Sequence, residues 1–143
     1  VLIGISPLIS PDMLAVLSKM GHGDEIVLAD AHFPGESNNS RILRADGIRI
    51  PPLLEGILKI FPLDDFVESP LIMMEPVPGS PYDPNTEETY RASIQTVLCP
   101  VPRISRIDRF DFYERTRKAF AVVMTGETAR YGNIILKKGV VMK

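Results

Sequence analysis

Apolar positions recur at helical spacing near the start of the chain, where Met13, Leu14, Leu17 and Met20 follow Ser10, a capping hydroxyl, and Pro11, which suits a first helical position. Gly21 supplies a stop. After the loop Gly21-His22-Gly23-Asp24-Glu25, the apolar run Ile26-Val27-Leu28-Ala29 reads as a buried strand with Asp30 at its carboxyl end. Residues 31–40 are rich in turn formers and read as a functional or mobile loop leading to Ile42-Leu43-Arg44. From about Pro51 to Phe61, Leu53, Leu54, Ile57, Leu58 and Phe61 form one face of a second helix that Pro62 ends. The segments 66–69 and 71–74 read as an extended piece interrupted by Pro70. The proline-rich stretch 75–85 reads as a stiff surface connection. A third helix, about Thr86 to Leu98, is expected to bury Tyr90, Ile94, Val97 and Leu98.

In the last third, Arg103 to Ile107 reads as a strand, Arg109 to Lys118 as a charged helix, Phe120 to Met124 as a buried strand and Ile134 to Leu136 as a closing apolar run. Strands alternating with helices point to a layered α/β fold with a mostly parallel or mixed sheet flanked by helices. The short connection at 124–134 leaves room for antiparallel pairing.

Composition then narrows the function classes. A length of 143 residues, 45% of them hydrophobic and 24% charged, fits a single globular domain over 1–143. Lys and Arg total 16 against 18 Asp and Glu, a net charge of −2 that lacks the basic surplus of nucleic-acid binders. The single cysteine, Cys99, reads as a small buried hydrophobe and offers no internal disulfide. No signal peptide or membrane span is evident, so a cytoplasmic address and no membrane partner are expected. Only two histidines, His22 and His32, are present, with Asp24 and Asp30 between them. Chemistry near neutral pH should be sought in that stretch.

Each candidate has a plain alternative. His22 lies between two glycines, where a ligand can approach the imidazole closely, but it equally follows a helix cap. Asp30 stands where ligands meet the carboxyl ends of α/β strands, but turn-forming aspartates look alike. His22, Asp30 and His32 could instead be metal ligands, although the spacing is no metal signature. Neither a P-loop nor a dinucleotide-binding glycine motif occurs. The segment from Arg109 to Arg115 suits a binding wall or a solvated helix. Tyr131-Gly132-Asn133 suits sugar hydroxyls or a turn. These residues point to a small site that moves protons on a neutral polar ligand without a cofactor.

The blocks Met20 to Glu25, Ala29-Asp30, Arg44 to Gly47, Phe112 to Arg115, Thr125 to Glu127 and Tyr131 to Asn133, in this order, closely resemble the L-fucose mutarotase family. That family is FucU-like and related to the ribose pyranase RbsD. The resemblance spans essentially the whole chain and implies a compact α/β fold of the RbsD/FucU type. It implies interconversion of the α and β anomers of L-fucopyranose, with no metal or other cofactor. His22 would be the proton donor. Asp30, Arg109, Tyr131, Gly132 and Asn133 would bind the sugar. Tyr113 and Asp64 would be further contacts, with Tyr113 a candidate second proton-transfer group, although a phenol of reference pKa about 10 must be strongly tuned for that task. Met73 and Met74 offer an apolar patch for the sugar's C6 methyl, and His32 is left as a contact at the pocket rim. The resemblance also implies a ring-like homo-oligomer, a decamer in bacterial members, with active sites between subunits. D-ribose pyranase activity and non-catalytic sugar binding remain as alternatives.

Overall fold

The computed structural model describes residues 1–142, so only Lys143 of the expected 1–143 domain lies outside the described residues. Its order is α1 (Pro11–Lys19), β1 (Glu25–Ala29), α2 (Gly35–Asn38), β2 (Ile42–Ala45), α3 (Ile50–Leu58), β3 (Leu71–Met74), α4 (Asn85–Gln95), β4 (Ile104–Ile107), α5 (Arg109–Lys118), β5 (Ala121–Thr125) and β6 (Ile134–Lys137). The strands form one mixed sheet in the order β2-β5-β1-β6-β3-β4. β2, β5 and β1 run parallel to one another, as do β3 and β4; β6 lies between the two sets, antiparallel to both neighbours. The short 124–134 connection therefore does not make a hairpin with β5, because β1 stands between β5 and β6.

Alternation along the strands divides the apolar side chains between two faces. Ile26, Leu28, Leu71 and Met73 join Met13, Leu54, Ile57, Tyr90 and Ile94 in the larger core under α1, α3 and α4. Val27, Ala29, Ile72 and Met74 pack with Phe33 and Phe112 under α5 and the 31–40 loop. Phe112 is fully buried. Removing an aromatic side chain of this kind costs about 3–5 kcal/mol.

The helix-start signal read at Ser10 is present, and the structure adds a second cap that the sequence reading did not name. Ser10 accepts the Met13 amide at 3.1 Å, a cap worth about 1 kcal/mol. Asp108 does the same for Asp111 at the start of α5, which fixes Arg109 as the first helical residue. Other expectations are corrected. Helix α1 ends with Met20 in extended conformation, and the left-handed turn falls at Gly23 (φ 88°), not Gly21. Residues 66–68 bend and 66–69 form no strand; the Phe66 amide is turned back onto Asp64 Oδ1 at 3.0 Å and is not available to a neighbouring strand. Val97 and Leu98 lie past the end of α4 and are only half-buried. Cys99 is exposed, since the chain has left the helix before reaching it. Among the described residues, no helix is long and apolar enough to cross a membrane.

Candidate active site

The candidate residues divide between the two ends of the sheet. Because β6 runs antiparallel, its entry (Tyr131 to Asn133) meets the exits of β1 at Asp30 and β3 at Met74, and the Arg109 turn after β4. These residues, with Tyr113, line one cleft of about 410 Å³. Of the residues expected to bind sugar, Asp30, Arg109, Tyr131, Asn133 and Met74 reach this cleft, and so does His32. Gly132 is buried behind its wall. Met73, expected beside Met74, faces the opposite core, as the two-residue period of a strand requires.

Asp30 is only 4% exposed. Burial raises its pKa above the ordinary carboxylate value, opposed chiefly by the backbone amide of His32, which donates to Oδ1 at 3.0 Å. Its own amide donates to Asn133 Oδ1 at 2.7 Å, which leaves the Asn133 amide nitrogen as a donor. Tyr131 has φ 57°, a left-handed conformation unusual for a side-chain-bearing residue and costing on the order of 1 kcal/mol or more. Such strain persists only where surrounding contacts hold it. Thr125 donates to the Ala29 carbonyl at 2.7 Å, and the Glu127 carboxylate, 4% exposed, accepts the amides of Ile50, Thr128 and Ala129 together with the Arg49 guanidinium.

The sequence reads 31–40 only as a functional or mobile loop and 75–85 as a stiff surface connection; both contribute to the cleft wall. Phe33 and Pro34 contribute an apolar side, with the Phe33 ring edge-on to Tyr113 at 5.6 Å. Ser80 lines the opposite rim, and Tyr82 meets the Tyr131 ring edge-on at 6.4 Å. Arg130 also lines the cleft. Its signal was adjacency to the Tyr131 block; nothing in the spacing marked Ser80 or Phe33.

His22 and Asp64 lie at the other end. His22 precedes β1 and Asp30 follows it, so one strand of about 3.3 Å per residue separates them by roughly 20 Å. The alternative metal triad of His22, Asp30 and His32 is therefore corrected: His22 cannot share a ligand sphere with the other two. His22 Nε2 lies 3.1 Å from Asp64 Oδ1; the imidazole is 44% exposed and the carboxylate 3%. The Phe66 amide also donates to Asp64 Oδ1 at 3.0 Å, and these contacts, the Phe66 amide first and then His22, hold the carboxyl below its usual pKa. The exit of β6 anchors both residues: Gly23 donates to the Lys138 carbonyl and Asp64 to that of Lys137. Lys138 Nζ caps the carbonyls of Leu17 and Met20 at the end of α1.

Comparison with known proteins gives one consistent relationship. An L-fucose mutarotase of Actinobacillus pleuropneumoniae is 56% identical over 137 residues, which are 96% of this chain and 95% of that protein. The crystal structure of the fucose mutarotase in complex with L-fucose from Streptococcus pneumoniae superposes with a TM-score of 0.92 at 49% identity, covering 99% of this chain and 100% of that one. Bacillus subtilis RbsD complexed with D-ribose shares the fold at a TM-score of 0.69 and 22% identity, covering 93% of this chain and 95% of that one. A family model described as the RbsD / FucU transport protein family matches residues 3–141. With that match and these relatives, the chain belongs to the RbsD/FucU family.

Proposed function

We propose that this protein is an L-fucose mutarotase, which interconverts the α and β anomers of L-fucopyranose. The observation that carries the reading is the two-sided cleft. Asp30, Arg109, Tyr131 and Asn133 offer charged and amide partners for hydroxyls, while Phe33 and Met74 offer an apolar wall for the methyl at C6. D-ribose has no such methyl, and the identity to the fucose mutarotases far exceeds that to the ribose-bound protein.

The chemistry is a paired proton transfer. The anomeric hydroxyl gives its proton to a base as C1=O1 forms, the C1–O5 bond breaks and O5 takes a proton from an acid. Rotation about C1–C2 exposes the other face of the aldehyde, and reclosure reverses both transfers. Each partner is asked for about 10²–10⁴-fold. We assign these roles to His22 and Tyr113. Within one copy the two stand at opposite ends of the sheet, so the reading requires a homo-oligomer in which His22 of the partner subunit closes the cleft. The apolar groove beside Asp64, with Phe66, Val141 and Met142 exposed next to it, supports such contact, and a decamer is the proposed assembly. Asp64, charged and able only to accept, accepts a hydrogen bond from the Nε2–H of His22 and leaves Nδ1 to exchange a proton with the sugar. Asp64 thus orients His22 in this reading. The proposed setting is the cytoplasm.

Saturation-transfer NMR of the anomeric protons tests the reading, with L-fucose and D-ribose as substrates. Accelerated exchange of L-fucose is expected. Faster exchange of D-ribose than of L-fucose would replace the reading with ribose pyranase, and exchange of neither sugar would leave a binding protein.

A further inference from the structure

Tyr90 is the largest polar side chain in the larger core, 1% exposed, and belongs to α4 on the face of the sheet away from the cleft. Its hydroxyl reaches the far side of the cleft wall and donates to the Gly132 carbonyl at 2.7 Å. Burial, reinforced by the negative charges of Glu127 and Asp30, pushes its pKa up, so the phenol stays protonated and remains a donor.

The carbonyl it holds is the middle of the sugar-binding block. On one side is Tyr131, in the left-handed conformation; on the other is Asn133, whose side-chain oxygen accepts the Asp30 amide. The Gly132 amide closes a turn onto the Ala129 carbonyl at 3.2 Å. The space is closed as well: a Cβ on Gly132 would stand 2.8 Å from that carbonyl and 2.9 Å from the Tyr90 hydroxyl.

We propose that Tyr90 is a positioning residue, whose hydroxyl fixes the Gly132 carbonyl and thereby the backbone from which Tyr131 and Asn133 meet the sugar. This rests on the mutarotase reading above. Tyr90 is not among the residues that line the cleft and its hydroxyl bonds only the Gly132 carbonyl, so its loss acts on binding in ground and transition states alike and should appear in KM and not in kcat.

The test is anomer-exchange kinetics on the full assembly, with the parent protein measured first. Absent exchange of L-fucose in the parent sinks the mutarotase reading itself. With parental exchange intact, Tyr90→Phe is expected to raise KM about tenfold and to leave kcat within about twofold. Incorporation of 4-aminophenylalanine at position 90 keeps a donor on the same ring and should restore most of the KM. An unchanged KM in Tyr90→Phe, or a raised KM that the amino analogue leaves raised, overturns the assignment. Should Tyr90→Phe fail to fold, Gly132→Ala crowds the Tyr90 hydroxyl and the Ala129 carbonyl with the tyrosine in place. A KM there equal to the parent's overturns it too.

Discussion

His22 Nε2 and Asp64 Oδ1 lie 3.1 Å apart although 42 residues separate them in sequence, and the carboxylate is buried while the imidazole faces outward. A half-exposed histidine held by a buried acid is fixed in tautomer and direction. Replacing His22 by Ala should lower the anomer-exchange rate by roughly 10²–10⁴ and leave sugar affinity nearly unchanged, as NMR exchange and calorimetry will read. Asp64→Asn should lower kcat at least about tenfold with little change in KM, because the amide no longer enforces the tautomer. The depressed pKa of Asp64 also makes it a stabiliser above the ordinary aspartate value of about 3.9. That contribution is lost as pH falls through the folded value, so thermal melts between pH 6 and 3 should fall less steeply in Asp64→Asn than in the parent.

Asp30 behaves in the opposite sense. Burial raises its pKa, so the carboxylate proposed to accept sugar hydroxyls becomes neutral at a higher pH than a free aspartate would. KM for L-fucose should therefore climb on the acid side, with a limb above the ordinary aspartate range. In Asp30→Asn the KM should be high and the limb absent. An identical limb in the variant would assign it to another group.

Met74 should set the preference for a 6-deoxy sugar. A buried methyl is worth about 0.8 kcal/mol, so Met74→Gln should reduce kcat/KM for L-fucose severalfold relative to L-galactose, which carries a hydroxyl at C6. Paired exchange measurements on the two sugars give the ratio directly.

The proposed sharing of a site between His22 of one copy and Asp30 of another makes a mixing experiment decisive. Assayed with L-fucose well below the raised KM of Asp30→Asn, His22→Ala and Asp30→Asn are each expected to be nearly inactive alone. Unfolding and reassembling them together at equal amounts should restore about a quarter of parental activity, since about a quarter of the sites would draw an intact half from each neighbour. A site built within one copy would recover none.

Much of this was legible in local signals, because helix caps and strand periods depend on near neighbours. Ser10 is a cap read directly from a hydroxyl before a helical stretch, the like cap at Asp108 went unread, and β1 with Asp30 at its exit follows from one uninterrupted apolar run. The pairing of β6 between β1 and β3 is a property of the folded sheet, and no periodicity announces it. The His22 to Asp64 contact is invisible for the same reason. Gathering His22 and Asp30 into one stretch of sequence suggested closeness, yet the strand between them holds them apart. The Phe33 and Ser80 walls escaped notice because turn formers and prolines signal how a chain bends, not what it encloses.

Strand β6 carries one further consequence. Its first flank places Asn133 on the Asp30 amide, its last places Lys138 under the end of α1, and its buried middle, Ile134 to Leu136, is locked between two neighbours. A slip of one residue would turn every side chain to the wrong face and would displace both flanks in the same stroke. On the proposed assignment, sugar recognition and proton delivery would then fail together, so damage to this strand should yield proteins that lose both at once, and never a tight binder that has merely become slow.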